Sequence, residues 1–318
     1  MIAASTALLA ATLAAPGAFP QPATAYNPRK MRCAPPGRAV YAVRADERDV
    51  MIGWRYLSSD PLDAAFDVYA NGRKVNGAPI RDVTFFKTPW RGEKTTYEVR
   101  LANAPAPSRK GAANSWTLSA NAPVGYFDIE LSPPPASVLP DGKTVGHHPC
   151  DCSVGDLDGD GEDDLVVIWW PDNAGDNASW HVTGETWLEG VKLDGSNRSL
   201  WKINLGRNIR SGSHYTPVMV ADFDGDGRAE VVCRTADGTV DDRGRAIGDA
   251  KADFRERNGH VLWAQNFVTV FDGLTGAALD SVPFKPDVLS DPQRRAAKDE
   301  KAINREWSSG TPGCRGFC

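Results

Sequence analysis

Cysteine is scarce and scattered in this chain: six in 318 residues, at positions 33, 150, 152, 233, 314 and 318. That excludes a small disulfide scaffold, and a chain of this length can bury a core without one. Cys150-Asp-Cys152 does not have zinc-finger spacing and no second pair matches it. No long apolar run exists; the longest near the start, Leu8 to Ala15, is too short to cross a bilayer. No Lys/Arg stripe accompanies the net charge of −5, so nucleic acid is not an expected partner. No phosphate-cradling glycine loop occurs, and neither a Ser-His-Asp nor a Cys-His set can be assembled.

What is present is a repeated acidic run. Asp156-Leu-Asp-Gly-Asp-Gly-Glu-Asp-Asp164 recurs 66 residues later as Asp222-Phe-Asp-Gly-Asp-Gly-Arg-Ala-Glu230. Oxygen donors at positions 1, 3, 5 and 9 surround one hard cation if the chain turns tightly, and the glycines at 4 and 6 permit the turn. Position 7, Glu162 or Arg228, offers its backbone carbonyl. An oxygen-rich, flexible cage suits Ca2+ better than Mg2+. β-branched runs follow each copy where an EF-hand needs a helix, so a strand–loop–strand calcium site is expected. The competing reading is an acidic β-turn without an ion; two copies with the same donors argue against it.

The rest of the chain reads as strands. Val50–Leu57, Thr96–Leu101 and Tyr126–Leu131 are candidates, and Asn71-Gly72 between Phe66–Ala70 and Arg73–Val75 signals a hairpin. Several short strands over 26–132 predict a β-sandwich. The proline-rich 133–149 reads as a linker, with His147-His148 a solvated pair. From 150 to 285, four strands per 66-residue unit predict two β-propeller blades. Residues 1–25 read as a signal peptide ending at Ala23-Thr-Ala25, or else as an unstructured Ala/Pro leader; the first predicts a secreted or periplasmic protein. Cys233 is expected in the core. Lys202 and Arg210 are either solvated or face an anionic polymer, and the ten tryptophans are either sugar-stacking platforms or core.

Six stretches carry a resemblance: Val154-Gly-Asp-Leu-Asp-Gly-Asp-Gly161, Lys192-Leu-Asp-Gly195, Leu200-Trp-Lys-Ile-Asn-Leu-Gly-Arg-Asn-Ile-Arg210, Ser213-His-Tyr-Thr216, Asp222 through Thr239, and Thr269-Val-Phe-Asp-Gly-Leu-Thr-Gly276. Together with Phe66-Asp-Val-Tyr-Ala-Asn-Gly-Arg upstream, they resemble polysaccharide lyase family 11, the rhamnogalacturonan lyases. The likeness covers about 30 to 285. It implies an all-β protein, an N-terminal sandwich followed by part of an eight-bladed propeller. It also implies calcium-dependent β-elimination on rhamnogalacturonan I, the pectin backbone: a base removes the C5 proton of galacturonate, the bond at O4 breaks, and an unsaturated uronate remains. A monomer is expected, with no membrane partner. The resemblance puts Asp156, Asp158, Asp160, Glu162 and Asp164 on a first calcium loop, Asp151 just before it, and Asp222, Asp224, Asp226, Arg228 and Glu230 on a second. Cys150 and Trp170 stand where the family has sugar-contacting Asn and Asp, and His214 falls in a family motif near the cleft. No general base is assigned. The likeness stops near Lys285, and 286–318 reads as a polar, unfolded tail. A truncated member is therefore expected, one that is weakly active or only a calcium- or carbohydrate-binding remnant.

Overall fold

A computed structural model describes residues 37–102, 114–176, 178–193, 198–213, 215–261 and 264–284. The leader, the tail and His214 lie outside these. The described residues form strands β1 to β19 and no α-helix, arranged in five separate sheets, none of them closed.

The N-terminal part packs two sheets around one core. β1 (Tyr41–Arg44), β2 (Asp49–Gly53) and β5 (Phe85–Pro89) make one, in the order β1-β2-β5. β3 (Phe66–Ala70), β4 (Arg73–Lys74), β6 (Thr95–Leu101) and β7 (Ser115–Leu118) make the other, in the order β4-β3-β6-β7. Period-two alternation turns Ala42, Val50 and Ile52 from the first sheet toward Phe66, Val68, Tyr97, Val99 and Leu118 from the second. Asn71 and Gly72 make the predicted tight turn, with φ of 46° and 79°, and Asn71 Oδ1 accepts from Thr96 N–H at 2.9 Å.

The remaining sheets are built from the repeated units. β8 (Ser137–Val138) and β9 (Thr144–Val145) form a small hairpin inside the proline-rich stretch. β10 (His147–Gly155), β11 (Asp164–Pro171), β12 (Trp187–Val191) and β13 (Ser199–Asn204) then meander antiparallel. β14 (Val218–Ala221), β15 (Glu230–Ala236), β18 (Asn266–Phe271) and β19 (Ala278–Pro283) repeat that pattern. Between β15 and β18 the chain inserts a hairpin, β16 (Thr239–Val240) and β17 (Ala246–Ile247), which crosses back and pairs with β13. The first sheet thus has six strands, where the repeat period alone predicts four.

The two sheets share a core. Val166, Ile168, Leu188 and Ile203 of the first face Val231, Cys233 and Phe271 of the second. Trp201 lies flat over Gly190, where a Cβ would come within 2.5 Å of the indole, and its Nε1 donates to Gly273 O at 2.6 Å. β11 is apolar on both faces because both are covered. Its other face carries Val167 and Trp169, packed with Val191 and with Ile129 and Leu131. This last contact corrects the reading of Tyr126–Leu131 as a strand. The segment has no ladder partner; its alternate apolar residues lie on the outside of β11 instead.

Two basic residues turn inward. Lys202 pairs with the buried Glu189. Arg210 is 2% exposed, and its guanidinium donates to the carbonyls of His181, Gly259, Asp176 and Ser179 at 2.6–3.1 Å. Arg210 ties three loops together, and burial lowers its pKa. Arg210→Met leaves those carbonyls without donors and is expected to cost about 3 kcal/mol or more of stability, by urea unfolding. A residue serving only to contact an anionic polymer would show no such loss.

Candidate metal centre

Each acidic run sits at the tip of an antiparallel hairpin. The β10–β11 ladder closes at Gly155↔Asp164 and the β14–β15 ladder at Ala221↔Glu230. The ninth residue of each run is therefore the first of the following strand, which buries its carboxylate beneath the turn. The first residue organises the turn. Asp156 accepts N–H bonds from Gly159, Asp160 and Gly161 at 2.7–3.1 Å, and Asp222 accepts from Gly225, Asp226 and Gly227 at 2.6–3.1 Å. Gly159 and Gly161 take φ of 79° and 92°, and Gly225 and Gly227 take 77° and 96°. The loops touch: Ala229 N–H donates to Asp156 O at 2.7 Å.

This geometry brings one oxygen each from Asp156, Asp158 and Asp164 within 4.8 Å of one another, and likewise from Asp222, Asp224 and Glu230. Positions 1, 3 and 9 thus converge. Like charges at this separation repel, and burial strips them of water. Burial is the main reason that Asp164 is pushed up to about 6 and Glu230 to about 7. An all-oxygen, anionic, partly desolvated set fits a hard divalent cation.

The position-5 carboxylates pair with cations, and the position-7 side chains, of which only the backbone carbonyl was expected as a donor, turn away from the cluster. Asp160 Oδ2 lies 2.8 Å from Lys192 Nζ, and Asp226 Oδ2 lies 2.8 Å from Arg228. The Glu162 side chain leaves the loop and faces the N-terminal sheets. There its Oε1 is buried with no partner, beside a cavity of about 750 Å³ lined by Tyr41, Lys94 and Trp116. Burial pushes Glu162 up to about 7. The same loop anchors the N-terminal part: Gly37 N–H donates to Gly161 O at 2.9 Å and Arg55 pairs with Asp163.

Asp151 does not join either cluster. It lies along β10 opposite Ile168, exposed, with Oδ1 accepting from Cys152 N–H. Cys150 is exposed at the β10 irregularity between Pro149 and Asp151. Trp170 pairs with His148 and leans on the core, with its Nε1 buried and unpartnered. His147 is a strand residue and not half of a solvated pair. Its Nε2 lies 3.0 Å from Glu185 O and 3.3 Å from Ser137 Oγ, and burial lowers its pKa. His214 falls outside the described residues. Lys192 was visible only as part of a motif. Its importance comes from β12 pairing with β11, which sets the residue after Val191 beside Asp164.

Comparison with known proteins fixes the class. Residues 126–290 match the C-terminal domain of rhamnogalacturonan lyase family 11, and residues 36–116 match the β-sheet domain of rhamnogalacturonan I lyases. The chain belongs to rhamnogalacturonan lyase family 11. Rhamnogalacturonan exolyase YesX of Bacillus subtilis (strain 168) is 41% identical over 82% of this chain and 41% of its own length. Rhamnogalacturonan endolyase YesW of the same organism is 39% identical over 78% of this chain and 39% of its own. The crystal structure of YesW superposes with a TM-score of 0.69 at 36% identity, covering 85% of this chain and 43% of that one. That of YesX gives 0.70 at 36% identity, covering 94% and 44%. The chain spans about two fifths of the length of the curated relatives it matches.

A carboxyl whose folded-state pKa is raised favours the protonated form, so its contribution to stability is full below the unfolded value and is lost as pH climbs to the folded one. Metal-free protein is expected to lose stability from Asp164 and Glu230 between the ordinary carboxylate range and pH about 7. Saturating calcium, which binds the ionised form, is expected to reverse that slope. Thermal unfolding across pH in metal-stripped buffer, with and without calcium and with the Asp164→Asn/Glu230→Gln variant as reference, checks this.

Proposed function

We propose that this chain is part of a calcium-dependent lyase that cleaves rhamnogalacturonan I by β-elimination. In this reading residues 26–132 are a β-sandwich and residues 150–285 are the first two blades of a propeller. The observation that carries it is the pair of equivalent acidic hairpin loops, same turn and same converging carboxylates, in a chain of this family. Calcium when bound supplies positive charge that offsets carboxylate repulsion and stiffens the hairpin tip. Asp156, Asp158 and Asp164 would hold one ion, and Asp222, Asp224 and Glu230 another. The role is structural. Asp164 and Pro171 end β11 on opposite sides, and Trp170 lies about 20 Å along the strand from Asp164. An ion at the acidic loop therefore does not touch a sugar ring at Trp170.

A second reading, a non-catalytic calcium- or carbohydrate-binding protein, is favoured by one feature. Cys150 and Trp170 replace an amide and a carboxylate. A thiol pairs poorly with hydroxyls, and indole has one donor and no acceptor; here that donor is buried. The protein is exported under either reading, as a monomer.

Incubating the purified chain with rhamnogalacturonan I and calcium separates the two. An unsaturated product, read by ultraviolet absorbance and abolished by chelator, supports the lyase. No product while calcium still binds supports the second reading.

A further inference from the structure

The two acidic loops share a backbone turn and differ in where their cations sit. Lys192 Nζ lies 2.9 Å from both carboxylate oxygens of Asp158, 2.8 Å from Asp160 Oδ2 and 3.4 Å from Asp164 Oδ1, and the lysine side chain is 5% exposed. Asp158 and Asp164 are two of the three carboxylates that converge in the first loop. Among the described residues no ion pair reaches Asp222, Asp224 or Glu230. Arg228, the one cationic residue within the second loop, turns to Asp226 at 2.8 Å.

We propose that Lys192 is a built-in counter-ion of the first acidic loop, making it the weaker of two divalent-cation sites and leaving the second loop as the tight one. A calcium ion entering the first loop needs the oxygens that the ammonium already holds. It must either displace a buried ammonium from three carboxylates or bind beside a positive charge a few ångströms away, and both lower affinity. The second loop presents carboxylates at the same three positions, with its arginine held on Asp226 and no cation paired to the three that converge. The arrangement suits what each loop does in the fold. The first anchors the N-terminal sheets through Gly161 O and Asp163, so its own lysine holds that junction when calcium is scarce. The second has no internal cation among its converging carboxylates, and its order follows the calcium supply.

The inference rests on the calcium reading above, and calorimetric titration of the metal-stripped full chain with calcium tests it. Two classes of site are expected, at least about tenfold apart in Kd. Asp224→Asn removes the tighter class and Asp158→Asn the weaker. Lys192→Met tightens the weaker class by about tenfold or more, while Lys192→Arg, which keeps the charge, does not. Equal affinities in Asp224→Asn and Asp158→Asn, or loss of the tighter class in Asp158→Asn, overturn the proposal, and that comparison decides even if Lys192→Met fails to fold. Two equal sites in the unaltered chain overturn this proposal alone. No calcium binding at all overturns the calcium reading with it.

Discussion

Asp156 and Asp222 each draw three backbone N–H groups onto one carboxylate, and the hairpin tips exist because of it. Without a charged acceptor in the centre, a turn with two left-handed glycines would leave those donors to water. The same act creates the main electrostatic difficulty of the molecule. A turn that closes around its first carboxylate brings those at positions 3 and 9 within 4.8 Å of it, and position 9 is already buried at the start of a strand. Positive charge must come from somewhere. The chain answers with Lys192 in one loop, and the donor chemistry of both loops fits a divalent ion.

Much of the packing is arranged around these tips. Leu157, between the first two carboxylates of its loop, is fully buried in the core shared by the two sheets, beside Ala229 of the other loop. The loops are thus covalent extensions of the core and not surface ornaments. Ala229 N–H to Asp156 O joins one to the other, and Gly37 N–H to Gly161 O joins the first to the N-terminal sheets. At the far end, Arg210 plays the corresponding part with four carbonyl partners. Burying a guanidinium among neutral carbonyls is costly, and it is tolerated because each bond to a charged donor is strong.

Under the proposed reading, the local chemistry fits a lyase site least well at Cys150 and Trp170. The family match spans both the N-terminal sheets and the two repeated units. Cys150 and Trp170 sit on the β10–β11 hairpin away from its acidic tip. The residues proposed to hold ions and those proposed to face a sugar occupy separate regions of one hairpin, so one can change chemistry while the other keeps its geometry.

Sequence alone determined what depends on local chemistry and period. Donor spacing in the acidic runs, the Asn71-Gly72 turn and the alternating or uniformly apolar strands follow from φ preferences and side-chain period, and the observed strands fall on them. It did not determine which partner covers a face. Tyr126–Leu131 alternates like a strand, yet it lies unpaired against β11, because alternation reports which residues are buried and not whether the backbone finds a ladder. β16 and β17 join the first sheet although their residues belong to the second repeat. His147, Lys202 and Arg210 look like surface residues in the sequence, and long-range packing gives each a buried or paired setting. Lys192 is the clearest case. One lysine among many becomes the counter-ion of a loop some thirty residues earlier only because strand pairing at Leu165↔Val191 sets them side by side.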